Sequence, residues 1–207
     1  MWSYLIQGAA IGLTAAGSPG PLLTFLISRS LSGGWRQGAQ VALAPLISDP
    51  PIVLVILLLL DQLSTRFLQV ISLVGGMYVL FLAWGLFRQW RKGSPDLAGL
   101  EGNSPGNLRK AVLMNFLSPG PYTFWTLVNG PILLSALEES IWDGIAFLLG
   151  FYGLFIGGMV ALAIIFDQAR RFGPRVVRGM VLASIVILSV FGVLLIYRGA
   201  TGLMGQG

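Results

Sequence analysis

Asp49 is the one ionisable residue that falls deep inside an apolar stretch of this sequence, about 11 residues from either end of the segment 38–60. If that segment crosses a bilayer, a carboxylate at mid-depth costs roughly 2.5–3.5 kcal/mol on insertion scales, and such residues face a polar interior or pathway. Two kinds of chemistry fit: binding a substrate ammonium group, or carrying a coupling proton. A structural alternative also fits, because Pro50-Pro51 follow and Asp49 would then cap a half-helix starting at Pro50.

The second chemical feature is duplicated. Ser18-Pro19-Gly20-Pro21 recurs as Ser118-Pro119-Gly120-Pro121. Each proline removes a backbone donor and clashes with the preceding turn, and glycine permits non-helical dihedrals, so each motif breaks a helix. Backbone groups freed inside a bilayer are tolerated where protein or a water-filled cavity satisfies them. After each break a half-helix starts, with Pro21 or Pro121 suited to its first turn. Its amide end carries partial positive charge, so two such ends facing each other would suit an anionic group such as a carboxylate. The competing reading is a pair of kinks made for packing. Asn115 lies one turn before the second break and joins the two tetrapeptides and Asp49 as a candidate for substrate binding or coupling. Thr24, Tyr78, Tyr122, Gln40 and Asn129 form a second tier, able to line a cavity or to bond helix to helix.

The chain has no histidine and no cysteine, which excludes imidazole relays, thiol redox chemistry and thiolate metal sites. With a single deep acid, no convergent catalytic cluster can be assembled, and a membrane enzyme is not expected. A hard-cation site wants several oxygen ligands, so neither a resident metal nor another cofactor is expected. An ion-handling or non-transporting assembly role remains the alternative to transport of a small solute.

The elements that must position these residues are membrane helices. Of 207 residues, 55% are hydrophobic and 10% charged, with a mean hydropathy of +0.81. Soluble domains carry roughly 25% charged residues. Six segments reach the roughly 20 apolar residues a spanning helix needs, at about 4–28, 38–60, 67–87, 110–133, 144–166 and 177–197. The first continues past signal-peptide length and lacks a basic leader, and so reads as part of the mature protein. A polar connector, about 91–108, reads as a loop.

Eleven of the thirteen Lys and Arg fall in the connectors after segments one, three and five, whereas Glu138, Glu139 and Asp143 make an acidic loop on the opposite side. Basic loops stay cytoplasmic, which predicts both termini outside. Trp2, Tyr4, Trp142 and Tyr197 fall at the outer boundary, and Trp35 and Trp90 at the inner one, as an aromatic belt requires. The net charge of +5 is distributed this way rather than as a soluble basic face, which argues against a nucleic-acid partner.

A second pair of markers, Asp61-Gln62 with Arg66-Phe67 and Asp167-Gln168 with Arg171-Phe172, follows the tetrapeptides in the same order. The chain therefore reads as one transmembrane domain of two three-helix repeats, about 1–92 and 109–207. An odd number of spans inverts the second repeat, the plan of many secondary transporters, whose sites lie between repeats at broken helices. Both breaks are expected about 8–10 residues, or roughly 12–15 Å, from the cytoplasmic side. Gly75-Gly76, Gly153 and Gly157-Gly158 are expected to permit close helix contact. The predicted fold class is all-α integral membrane, with six spans and broken first and fourth helices.

The chain resembles the lysine-exporter/RhtB type of amino-acid exporters over nearly its whole length. The matching residues are Gly12 with Ser18-Pro19-Gly20-Pro21, Ser28-Arg29-Ser30-Leu31 followed by Gly33, Gly34 and Gly38, Asp49, the run from Gly75-Gly76-Met77-Tyr78-Val79 through Leu82, Gly85 and Arg88, and Asn115 through Pro119. The resemblance implies export of small amino acids or related metabolites across a bacterial inner membrane in exchange for protons. The implied partners are that small-molecule substrate, protons and the lipid bilayer, with a homodimer as an allowed assembly. Members of that family commonly carry Asn-Pro followed by a basic residue in the fourth span, whereas here Ser118-Pro119-Gly120-Pro121 holds no Lys or Arg.

Overall fold

The computed structural model describes residues 1–59, 65–91 and 105–204, and among these the chain is helical with no strand. The Asp61-Gln62 marker and most of the 91–108 connector lie outside the described residues. Helix α1 (Trp2–Ala16) ends at Gly17, and α2 (Pro21–Gly33) starts after an extended Gly20 with Pro21 as its first residue. The two helices meet at 66°. At Gly34 the backbone turns with φ +87°, a conformation that favours glycine, and sends the chain back as α3 (Trp35–Ala42) and α4 (Ala44–Leu59). Helix α5 (Thr65–Arg91) follows.

The second half opens with α6 (Pro105–Phe116) and α7 (Pro119–Phe124), then a π-helical turn (Trp125–Asn129) and α8 (Gly130–Glu139). Helix α9 (Ile141–Gln168) is capped by Ser140, whose Oγ accepts from the Trp142 amide. A short 3₁₀ turn (Ala169–Phe172) leads through Gly173 to α10 (Pro174–Met204).

Among the described residues, four helical stretches are long and apolar enough to cross a membrane, and five if α1 and α2 count as one bent span. Large apolar side chains such as Phe81, Leu149 and Leu13 are exposed, at 67%, 65% and 57%, which suits a lipid surround. The expected fourth span, 110–133, is not one long helix. It is built from α6, α7, the π turn and α8, because Pro119 starts a new helix and Pro131 has no amide to bond the Leu127 carbonyl. Half-helices α2 and α6 hold 13 and 12 residues, so each break lies roughly 18–20 Å along the helix from its far end. Hydropathy alone stops at Arg29 and Lys110, whereas the helices run on past both.

The expectation that Asp49 caps a half-helix at Pro50 is overturned. Helix α4 runs unbroken through Pro50 and Pro51, with Asp49 inside it. The two prolines strip amide donors from the carbonyls of Leu46 and Ile47 without ending the helix.

Helix α1 lies along α9, and α5 along α10; α2 packs on α3, α9 and α10, and α4 on α6. Small residues set these distances. A Cβ at Gly8 or Gly12 would strike the carbonyl of Phe147 or Phe151, and one at Gly150 the carbonyl of Leu5. Gly76 and Gly192 play the same part between α5 and α10, and Gly75 packs on the Leu117 carbonyl. Gly153 and Gly157, expected at helix contacts, face open space, while Gly158 meets Ala16. Gly12→Ala is therefore expected to wedge α1 from α9 and to destabilise by about 1–3 kcal/mol, while Gly153→Ala stays within about 0.5 kcal/mol of the parent. Thermal unfolding in detergent measures both; equal melting temperatures would contradict the packing argument.

Candidate substrate cavity

Asp49 projects from the middle of α4 and is 4% exposed. Its Oδ1 accepts from Asn115 Nδ2 at 2.9 Å, and its Oδ2 accepts from Trp125 Nε1 and from the Tyr152 hydroxyl, both at 3.3 Å. The second proton on Asn115 Nδ2 goes to Ser48 Oγ at 2.7 Å, and Ser48 donates in turn to the Ala44 carbonyl at 3.0 Å. All three partners of Asp49 are donors, which is the complement of an ionised carboxylate. They arrive from α6, the π turn and α9, so one side chain ties four elements together.

Local structure aims these donors. Asn115 is the penultimate residue of α6, just before the break. Trp125 opens the π turn, in which the Gly130 amide bonds back five residues to the Trp125 carbonyl. Its indole packs edge-on against Phe151 at 5.7 Å, and Tyr152 lies against Phe151 at 5.0 Å, so an aromatic cluster holds both polar tips in place.

Beside Asp49 is a cavity of about 440 Å³. Ser18, Pro19, Gly20 and Pro21 line it together with Ser118, Pro119, Gly120 and Pro121, and so do Asp49 and Asn115. Its other walls include residues of α1, α2 and α4, Met114, Phe124, Trp125 and aromatic and aliphatic residues of α9 and α10, and Arg198 of α10 also borders it. The two tetrapeptides are not folded alike. In the first, Gly20 is the extended residue before α2; in the second, Ser118 is, and Pro119, Gly120 and Pro121 already lie in α7.

The second-tier residues lie elsewhere. Thr24 Oγ1 donates to the Gly20 carbonyl at 2.8 Å, Tyr78 to the Lys110 carbonyl at 3.3 Å and Tyr122 to the Phe116 carbonyl at 3.0 Å, and none of the three lines the cavity. Trp125, Tyr152, Ser48 and Arg198 were not singled out by sequence. A tyrosine hydroxyl in mid-span, as at Tyr152, needs an acceptor, and that was the available signal.

Two further polar side chains are buried away from the cavity. Arg29 is 3% exposed, stacks on the Phe25 ring at 5.0 Å, and its Nε and Nη1 find no hydrogen-bond acceptor among the described residues. Asn129 is fully buried with neither amide atom bonded. They stand at equivalent places, each eleven residues past the serine of its tetrapeptide. Among the described residues no cluster of three His, Cys, Asp or Glu is positioned to hold a metal ion.

The LysE type translocator family model matches residues 13–199. The chain belongs to this family. No curated protein and no solved structure matches it significantly. As a LysE type translocator with long apolar helices, it is a multi-pass membrane protein.

The geometry separates the two tiers experimentally. Trp125→Phe and Asn115→Leu each remove a donor to Asp49 and are expected to lower the unfolding free energy by about 1–3 kcal/mol. Thr24→Val and Tyr78→Phe should leave ligand affinity within about twofold of the parent, read by ligand-induced thermal shift in detergent.

Proposed function

We propose that this LysE type translocator is a secondary transporter that exports amino acids or related small metabolites across a bacterial inner membrane in exchange for protons. The observation that carries the reading is the convergence of Asp49, Asn115 and both Ser-Pro-Gly-Pro motifs on one cavity. Asp49 takes the substrate ammonium or the coupling proton, and the two broken helices frame the space beside it. A carboxylate already met by three donors is a poor start for a hard-cation cage, which needs several free oxygens. This disfavours the ion-transport alternative.

The proposed architecture is one domain of six spans in two inverted repeats, with α6, α7, the π turn and α8 together forming the fourth. Helix contacts support it. Exchanging the repeats maps the α1–α9 contact onto α4–α6, the α2–α10 contact onto α5–α7, and α5–α10 onto itself. Tyr4 donates to Glu139 at 2.8 Å, which puts the start of α1 beside the acidic α8–α9 loop. The basic connectors then assign that side to the outside. Cysteines placed at Glu138 and Phe172 of this cysteine-free chain should label from opposite faces of the membrane; labelling from one face contradicts the topology.

Counterflow by the purified protein in liposomes, run against a panel of amino acids, tests the function. Exchange of at least one of them is expected, inhibited by collapse of a proton gradient in net transport assays. Asp49→Asn replaces one acceptor oxygen with an amide that faces donors, so it should insert, fold with a lower melting temperature and lose at least about tenfold in rate. Parental rates with unchanged pH dependence would remove Asp49 from the mechanism.

A further inference from the structure

Only two of the residues that line the cavity are charged, Asp49 and Arg198. They come from different repeats, Asp49 from the middle of α4 and Arg198 from near the end of α10. Asp49 is buried, whereas Arg198 is exposed and its guanidinium makes no hydrogen bond or ion pair within the described residues. One carboxylate at the depth of the cavity and one available guanidinium at its border offer one partner each to an ammonium and a carboxylate. We infer that the cavity selects zwitterionic amino acids with an apolar side chain, with Arg198 holding the carboxylate and Asp49 the ammonium. This rests on the transport reading above and names its substrate class.

The walls decide the side chain. The lining also holds Phe124, Phe151, Phe155 and Phe191 with Met114 and Met159, and among the described residues no second acid or base lines the space. The polar groups present are partly committed: Ser18 Oγ donates to the Thr14 carbonyl at 3.1 Å, and both protons of Asn115 Nδ2 are used by Ser48 and Asp49. A lysine side chain would bring a second ammonium with no partner, and a glutamate side chain a second carboxylate. Burying either uncompensated is strongly unfavourable. A leucine or phenylalanine side chain gains from the same walls. The volume of about 440 Å³ lies within the roughly 300–1,000 Å³ usual for small-molecule sites.

A guanidinium also matches a carboxylate better than the break motifs alone do. Its fork of donors engages both oxygens. Helix α7, at six residues before the π turn, adds little dipole of its own. The competing role for Arg198 is to snorkel toward lipid phosphates, and the test separates the two.

Full-length protein in nanodiscs is titrated with leucine, phenylalanine, lysine, glutamate and leucinol, which keeps the ammonium and the side chain of leucine but lacks its carboxylate. Leucine and phenylalanine should bind at least about tenfold tighter than lysine, glutamate or leucinol. Arg198→Gln should weaken leucine at least about tenfold, leave leucinol within about twofold, and be rescued in large part by Arg198→Lys. Lysine binding as tightly as leucine, or leucinol matching leucine in the parent protein, overturns the inference without any variant. Equal losses of leucine and leucinol in Arg198→Gln, with a lowered melting temperature, assign Arg198 to the lipid surface and overturn it too. Counterflow separates the two levels: exchange of lysine but not leucine sinks this inference and keeps transport, whereas exchange of no amino acid sinks the transport reading.

Discussion

An ionised carboxylate in an apolar helix bundle must be met by donors, because an unpaired one costs several kcal/mol even after relaxation. Asp49 is met by three, from Asn115, Trp125 and Tyr152. Each donor belongs to a different helical segment, and two of them sit at or beside an end of regular α-helix. Asn115 stands at the end of α6, and Trp125 opens the π turn. The irregular stretch from α6 to α8 is therefore intelligible as the backbone that lets two donors converge on one acid. The same irregularity leaves the space beside Asp49 that a regular helix would fill.

Close helix contact supplies the rest of the geometry. Gly8 and Gly12 on α1, with Gly150 on α9, bring the two backbones to van der Waals contact. The same helix α9 brings Phe151 into one ring cluster with Trp125 and Tyr152, so the apolar packing of α1 on α9 and the polar network at Asp49 share an element. Without a hydrophobic driving force between helices in lipid, such small-residue contacts are the main source of association. Gly12 meets this packing demand, while Gly153, facing open space, carries none.

Identical tetrapeptides have been put to different local uses. The first starts its helix at Pro21 and the second at Pro119, because in the second Gly120 is taken into the helix. Further on, the equivalent positions hold Arg29 at one end and Asn129 at the other, both buried and both with polar atoms lacking hydrogen bonds among the described residues. A buried polar group left in that condition costs on the order of 1–3 kcal/mol. Two identical tetrapeptides thus line one cavity with different local backbone.

The sequence by itself determined the membrane class, the helix-breaking role of both tetrapeptides, and the singularity of Asp49. Each of these is a local consequence of composition, of missing proline amides, or of one charge in an apolar run. The family likewise followed from motifs spread along the chain. What the tertiary structure decided was which groups meet. That Asn115, Trp125 and Tyr152 share one carboxylate depends on helix crossings set by glycines far away in sequence, and no spacing rule encodes such a crossing. That Asp49 lies inside α4 rather than capping a helix at Pro50 depends on where its side chain finds donors. That Arg198, which no sequence motif marks, borders the same cavity as Asp49 follows from the packing of α10 against α2 and α5, a long-range contact that neither hydropathy nor periodicity contains.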